Sequence, residues 1–504
     1  MEGLNKTLKN IVNIIGFISL IIFLFCKISW IFRSNSLEAR EDIVGFKNQG
    51  DIDVVFYGGS PLLRGYQPLE AYHRKGYTSY NYVITFEKNN LLKAFIEESR
   101  TTNEALLYVC DIRAFPLLSS DTIEEAALRN WSDSVSIFSP ARVKGITSFL
   151  KSWGWGGKEL TAFYFDIFKY HSNYEILANA EQWDYLKSEN IYNVDKGYEA
   201  VVDNIPYEIP EVTDECGELN ERQLFRLNEL LDYFDQEKIQ VLFIASPYVI
   251  SDSDWKILNT CNKIIQERGY NFINFNSYYD EMNLDFETDF YDAGHLNYLG
   301  SQKYTRYLTD YLSDNYELPD HRGDDCYSDW NDDYITFLSL QEEWGERNAS
   351  IIEDHKEAKE IGDQLSDITD FLRWVELIKN ENFTVIITKN NNDICDAEDI
   401  AIYVMSQRWG IDIEESYIGI WQGEECLFST YEKDRYEGEV KVNNGRTIIP
   451  YSISLGDDQI LIGEKKYSNA SSGIQAIIID NHYGQVIDNV NIYTDEKGIN
   501  LIRY

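Results

Sequence analysis

The sequence predicts an α/β protein, and three observations carry that expectation. Between residues 51 and 318, short β-branched and aromatic runs alternate with helical segments. Ahead of them lies an uninterrupted apolar run, Ile11 to Phe32. Behind them, residues 381–504 carry several short β-like runs separated by Gly, Asn and Asp. Strand–helix alternation builds a doubly wound sheet with helices on its faces, whereas short strands punctuated by turn residues build a sandwich. The expected order is an N-terminal transmembrane helix, an α/β domain and a smaller β-rich C-terminal domain.

The first element, IVNIIGFISLIIFLFCKISWIF, is long enough to cross a hydrocarbon core of about 30 Å at roughly 1.5 Å per residue. Lys27 can snorkel and Trp30 suits an interface. No small-residue cleavage site ends the run, so it reads as an uncleaved anchor behind a cytoplasmic tail of residues 1–10. Lys6 and Lys9 precede it while Lys27, Arg33 and Arg40 follow, so charge alone leaves its orientation open. Ser34 to Gly50 reads as a polar stalk.

DVVFY, Asp53 to Tyr57, is then a buried strand that runs into the turn Gly58-Gly59-Ser60-Pro61. Pro68–Arg74 and Leu91–Ser99 read as helices, and Ala105–Ile112 as a second strand. Residues 119–218 show no clean periodicity and read as an insertion over the sheet. Order returns with the helix Glu221–Lys238, the strand Ile239–Ser246, the helix Asp254–Arg268, the strand Asn271–Phe275 and the closing helix Asn297–Ser313. Residues 319–380 read as an acidic linker followed by a helical segment. FTVIITKN, SYIGIWQ, TIIPYSIS, QILIGE, IQAIIID and VNIYT supply the strands of the last domain, with Trp409, Trp421 and Tyr467 as core aromatics or sugar-stacking residues.

Composition narrows the partners. The 85 acidic and 45 basic residues give a formal net charge of -40, which repels phosphate backbones, and no Lys/Arg cluster offsets it. Nucleic acid is therefore not an expected partner. The 7 cysteines are scattered without a C-x-x-C pair and the 6 histidines are dispersed, so neither a structural metal nor a cofactor is expected.

Two distant segments carry chemistry. FYGGSPLLRG puts Ser60 in the turn after a buried strand, at the sheet edge where ligands bind in α/β proteins. Its glycines permit close backbone approach, as a nucleophile turn requires. FYDAGHLNYLG places Asp292 three residues before His295 on a loop leading into the last helix. A serine hydroxyl needs a base near neutrality, and a carboxylate can fix the tautomer of that histidine. A Gly-Gly-Ser turn alone is ordinary, and so is an Asp-x-x-His helix cap. Their joint placement at the two ends of one α/β domain points to a catalytic triad of Ser60, His295 and Asp292. Asp111 and Arg113, in CDIRAF, end the second strand and so share that edge. Arg113 suits an anionic substrate group with Asp111 orienting it, although a structural ion pair explains the same pattern.

Gly-Gly-Ser60 after the first strand, with Asp292-Ala-Gly-His295-Leu-Asn297 before the last helix, resembles the SGNH (GDSL-like) hydrolase superfamily. It is closest to a membrane-anchored bacterial branch that includes proteins of lipoteichoic acid D-alanylation and polysaccharide O-acetylation. GYTSYN, Gly76 to Asn81, resembles that branch's second block. The resemblance covers roughly residues 51–313. It implies a flavodoxin-like three-layer fold, acyl–serine chemistry on a cell-surface glycan or acylated polymer, an extracytoplasmic catalytic part and a membrane-bound O-acyltransferase partner. Gly59 stands where the superfamily has Asp, and the segment YVITFEKNN lacks the Gly-x-Asn-Asp block that supplies an oxyanion donor. Gly59, Tyr82 and Val83 are the expected substitutes, beside the Ser60 amide. A glycan-binding or assembly role for a catalytically weak domain is the alternative that this departure leaves. QAIIIDNHYGQVIDNVNIYTDEKG faintly resembles an interleukin-like EMT-inducer type β-sandwich.

Overall fold

The computed structural model describes residues 2–33, 37–85, 89–119, 124–152, 154, 157–173, 191–390, 400–413, 416–442, 448–457, 459–467, 473–496 and 498–504. Residues 34–36 of the expected stalk, parts of the expected insertion (120–123 and 174–190), Phe86, Glu87 and Lys88 in YVITFEKNN, Cys395 and Thr447 lie outside them. The chain forms two compact units, residues 1–202 with 206–346 and residues 203–205 with 347–504.

The first unit begins with the helix Glu2–Phe32, of which Lys9–Phe32 is long and apolar enough to cross a membrane. The expected stalk is instead a helix over Leu37–Phe46. Ile43, Val44 and Phe46 are buried, and the Phe46 ring lies 5.2 Å from both Tyr80 and Tyr82. Charged neighbours mask this short apolar face in the sequence. Arg40 itself is buried, with Nη2 donating to the Trp30 and Arg33 carbonyls at 3.0 and 2.6 Å. A cation on the last carbonyls of a helix satisfies acceptors that the helix leaves open.

The central sheet is parallel, with strands β1 (Val54–Gly58), β2 (Ser79–Val83), β3 (Leu107–Asp111), β4 (Val241–Ala245) and β5 (Asn271–Asn274) in the order β2-β1-β3-β4-β5. That is a doubly wound order with its switch point beside β1. Both faces are covered, because successive residues feed different cores. Val55, Tyr57, Tyr108, Cys110 and Phe243 pack into one, and Val54, Phe56, Leu107, Val109 and Leu242 into the other. Two-sided burial explains why these strands read as apolar runs without polar alternation. β2, with the sequence SYNYV, lacks that signature and was not expected as a strand.

Helix ends follow local chemistry. Asn220 and Gln223 form a reciprocal capping box at 2.9 Å before the helix Glu221–Glu237. Ser251 caps Asp252–Glu267, and Asn297 caps the closing helix Tyr298–Asn315. The insertion contains the helices Glu124–Ser134, Pro140–Ser152, Lys158–Tyr164 and Ile167–Tyr170. A buried Asp166 binds Arg33 at 2.5 Å and Arg142 at 2.7 Å, tying it to the end of the N-terminal helix.

The helical segment expected within 319–380 is one long helix, Ser328–Leu365, that starts closer to the linker than read, and the division between the units falls within it. Its acidic residues suggested a loop, yet its apolar residues are spaced to bury Trp330 and Phe337 on one face.

In the second unit, a six-stranded antiparallel sheet orders Glu425–Thr430, Tyr417–Gln422, Phe383–Lys389, Ile474–Asp480, Gln485–Asp495 and Gly498–Arg503. Ile386, Ile418, Ile477 and Ile479 pack against a four-stranded sheet. Val385, Ile387, Ala476 and Ile478 pack instead against the helices Phe371–Ile378 and Ile400–Trp409. The latter helix interrupts what reads as a run of strands. Trp409 and Trp421 are buried 5.7 Å apart, as core aromatics.

Candidate active site

β1 ends at Gly58, where an added Cβ would stand 3.0 Å from Leu62 and 3.1 Å from the Asp111 Cβ. A side chain here would therefore press on Leu62 and Asp111. Gly59 caps the helix Ser60–Gly65, with Ser60 as its first residue. The amide of a first helical residue has no intrahelical acceptor, so it remains available at the turn.

Residues 290–296 come back to this point as a small hairpin, Phe290–Asp292 against His295–Leu296, in which Asp292 and His295 are register partners. Val249 anchors it by donating to the Ala293 carbonyl at 2.9 Å. Asn297 fixes its far end, donating to the Thr288 carbonyl at 2.6 Å and accepting from Gly300 at 3.1 Å.

Ser60 Oγ lies 2.8 Å from His295 Nε2, and His295 Nδ1 lies 2.8 Å from Asp292 Oδ1. The same carboxylate oxygen accepts from the Gly294 amide at 2.7 Å. Burial holds the His295 pKa below 6.5 and Asp292 opposes this, while Arg113 and Arg64 add repulsion toward an imidazolium. Burial alone would raise the Asp292 pKa, but His295, the Gly294 amide and Arg113 hold it below the usual carboxylate value. The resting site is thus a neutral imidazole, free to take a proton at Nε2, beside a charged carboxylate.

The other expected residues divide. Asp111 and Arg113 do stand at this edge. Asp111 accepts from the Arg113 amide at 2.9 Å and from the Ser246 hydroxyl, so it orders the β3 turn rather than the Arg113 guanidinium. Burial raises its pKa. The Arg113 guanidinium instead lies over the Tyr248 ring at 4.2 Å, and an added Cβ on Gly294 would stand 3.0 Å from its Nη2. Tyr82 and Val83 lie within β2, in register with Tyr57 and Gly58 of β1, with fully buried side chains, one in each core layer. Arg142, in the insertion, is committed to Asp166 and to the Ser132 and Phe163 carbonyls.

Two residues of this edge were not singled out in the sequence. Arg64, one turn after Ser60, lies over the Tyr291 ring at 5.4 Å. The i,i+4 spacing in SPLLR was the available signal. Asn89 has φ of +67° and donates to the Asp111 carbonyl at 2.7 Å. Asparagine tolerates that left-handed backbone better than most residues, the one local hint it gave. Among the described residues, no group of three or more His, Cys, Asp or Glu is arranged to hold a metal ion.

Comparison of the chain with protein-family models, with curated proteins and with solved structures finds no match.

Proposed function

We propose that this chain is a membrane-anchored serine esterase or O-acyltransferase of the SGNH type, with a flavodoxin-like catalytic domain. It acts on acyl esters, acetyl foremost, of a cell-envelope glycan or polymer. The observation that carries the reading is the continuous Ser60–His295–Asp292 relay, with both links at 2.8 Å, at the carboxyl edge of a parallel sheet.

Ser60 Oγ attacks the ester carbonyl as its proton passes to His295 Nε2. The tetrahedral intermediate collapses when His295 returns that proton to the departing alkoxide oxygen, leaving the acyl group on Ser60. Water or a glycan hydroxyl then gives its proton to His295 and takes the acyl group, and the proton returns to Ser60. Asp292 holds the imidazole tautomer throughout. The Ser60 amide is the proposed oxyanion donor, worth about 2.7–4 kcal/mol in comparable sites. The apolar helix Lys9–Phe32 serves as the anchor and holds the catalytic unit at an extracytoplasmic surface. A membrane-bound O-acyltransferase is the partner that would supply acyl groups to such a site.

The test is labelling of the full chain with a fluorophosphonate probe. Labelling of wild type that is lost in Ser60→Ala and in His295→Ala is expected. A folded wild-type protein that does not label overturns the enzymatic reading. It favours the glycan-binding or assembly role, which draws its support from the missing Gly-x-Asn-Asp block.

A further inference from the structure

We propose that Arg64 and Arg113 form an anion subsite beside the triad, so that the ester presented to Ser60 carries a carboxylate or phosphate group. This rests on the serine reading above for its role in turnover, though not for the existence of the subsite.

The chain has 85 acidic residues for 45 basic ones, so an arginine without a carboxylate partner is unexpected. Arg33 and Arg142, equally buried, both end on Asp166. The two arginines of the site behave differently. Arg64 is 6% exposed, and its Nε and Nη1 are buried with no hydrogen-bond partner among the described residues. Its nearest carboxylate oxygen, on the half-exposed Glu199, is 3.8 Å from Nη2, beyond hydrogen-bond reach. The Arg113 guanidinium takes part in no hydrogen bond or ion pair among the described residues, and its Nε is buried. It lies over the Tyr248 face at 4.2 Å and close to Gly294, next to His295, with the carboxylates of Asp111, Asp292 and Asp254 acting on it from beyond ion-pair distance.

A buried guanidinium with open donors costs stability that packing on an aromatic ring does not return. The buried Arg64 and the half-buried Arg113 flank the hairpin of Asp292 and His295, one from the Ser60 helix and one from the β3 turn. Asp111, Asp254 and Asp292 about Arg113, and Glu199 about Arg64, offer charge but no hydrogen bond to either guanidinium. Guanidinium donors in a fixed fork match carboxylate and phosphate oxygens, and a ligand anion would complete the pairing that the protein leaves open. Elsewhere the acidic surface repels anions, so binding at this edge would be local and specific.

The experiment is calorimetric titration of the detergent-solubilised full chain with trigalacturonate (carboxylated), glycerol 3-phosphate (phosphorylated) and maltotriose (neutral). At least one anionic probe is expected to bind wild type and Ser60→Ala alike, with maltotriose at least tenfold weaker. Arg64→Gln and Arg113→Gln should each weaken the anion at least tenfold, and which anion binds separates the two sources. Unchanged or raised thermal midpoints in these variants are expected, since an unpaired charge is removed; Arg64→Lys offers a second variant that retains the charge. Absence of binding by both anions, equal binding of maltotriose, or unchanged affinity in both arginine variants would overturn the proposal. Anion binding without fluorophosphonate labelling would uphold the subsite and remove the serine chemistry. Labelling without anion binding would do the reverse.

Discussion

Asp292 and His295 are partners across a hairpin, so their three-residue spacing is a cross-strand pair and not one turn of helix. That geometry turns the carboxylate onto Nδ1 and leaves Nε2 facing Ser60.

Replacement of Asp292 by Asn keeps the size of the side chain but reverses the proton it presents to Nδ1. The labelling rate at Ser60 should fall by roughly 10³–10⁴, with an unaltered thermal midpoint. A rate within tenfold of wild type would show that Asp292 does not hold the tautomer.

Burial, aided by Arg113 and Arg64, lowers the His295 pKa, so the neutral base persists below pH 6.5. The acid limb of the labelling rate should therefore lie below 6.5. Arg113→Gln removes a repelling charge, which raises the pKa and moves the limb to higher pH. A limb that stays in place in this variant would separate Arg113 from His295 electrostatically.

Gly58→Val places a branched side chain against Leu62 and Asp111 at the end of β1. Overpacking at such a point costs about 1–3 kcal/mol, and the Ser60 turn moves with it. Denaturant midpoints and labelling should fall together. A stable variant with normal labelling would mean that the turn has room the packing denies.

Asp166→Ala leaves Arg33 and Arg142 buried without their shared carboxylate. Removing one partner of a buried pair costs about 3–5 kcal/mol. Chemical denaturation of the full chain in detergent measures it, and a loss under 1 kcal/mol would show that the carbonyl contacts of the arginines suffice.

In the second unit, His355 is 3% exposed, its ring 4.0 Å from that of His482. Burial first, and then His482, push its pKa down to about 3 from 6.5. A proton therefore binds the unfolded chain more readily than the folded one. The contribution is neutral above pH 6.5, and stability falls by about 1.4 kcal/mol per unit as pH drops from there toward 3. His355→Leu should flatten that slope in denaturation measured across the range; an unaltered slope would assign acid sensitivity elsewhere.

What depends on near neighbours was legible in the sequence. Apolar runs bounded by turn residues marked β1, β3 and β4, because strands buried on both faces cannot alternate. The caps Asn220 and Asn297 act within their own segments, and the apolar length of Lys9–Phe32 suits a membrane span. Ser60, Asp292 and His295 were legible because each lies in a short segment whose residue types suit one chemistry. What depends on residues far apart in the chain emerges in the folded molecule alone. SYNYV became a strand because β1 offered it an edge, and Leu37–Phe46 a packed helix because Tyr80 and Tyr82 received Phe46. Arg64 and Arg113 acquired meaning only when the hairpin of His295 folded between them. Hydrogen-bond partners and burial are set by the whole fold, and local composition does not encode which charge will be left without a counterpart.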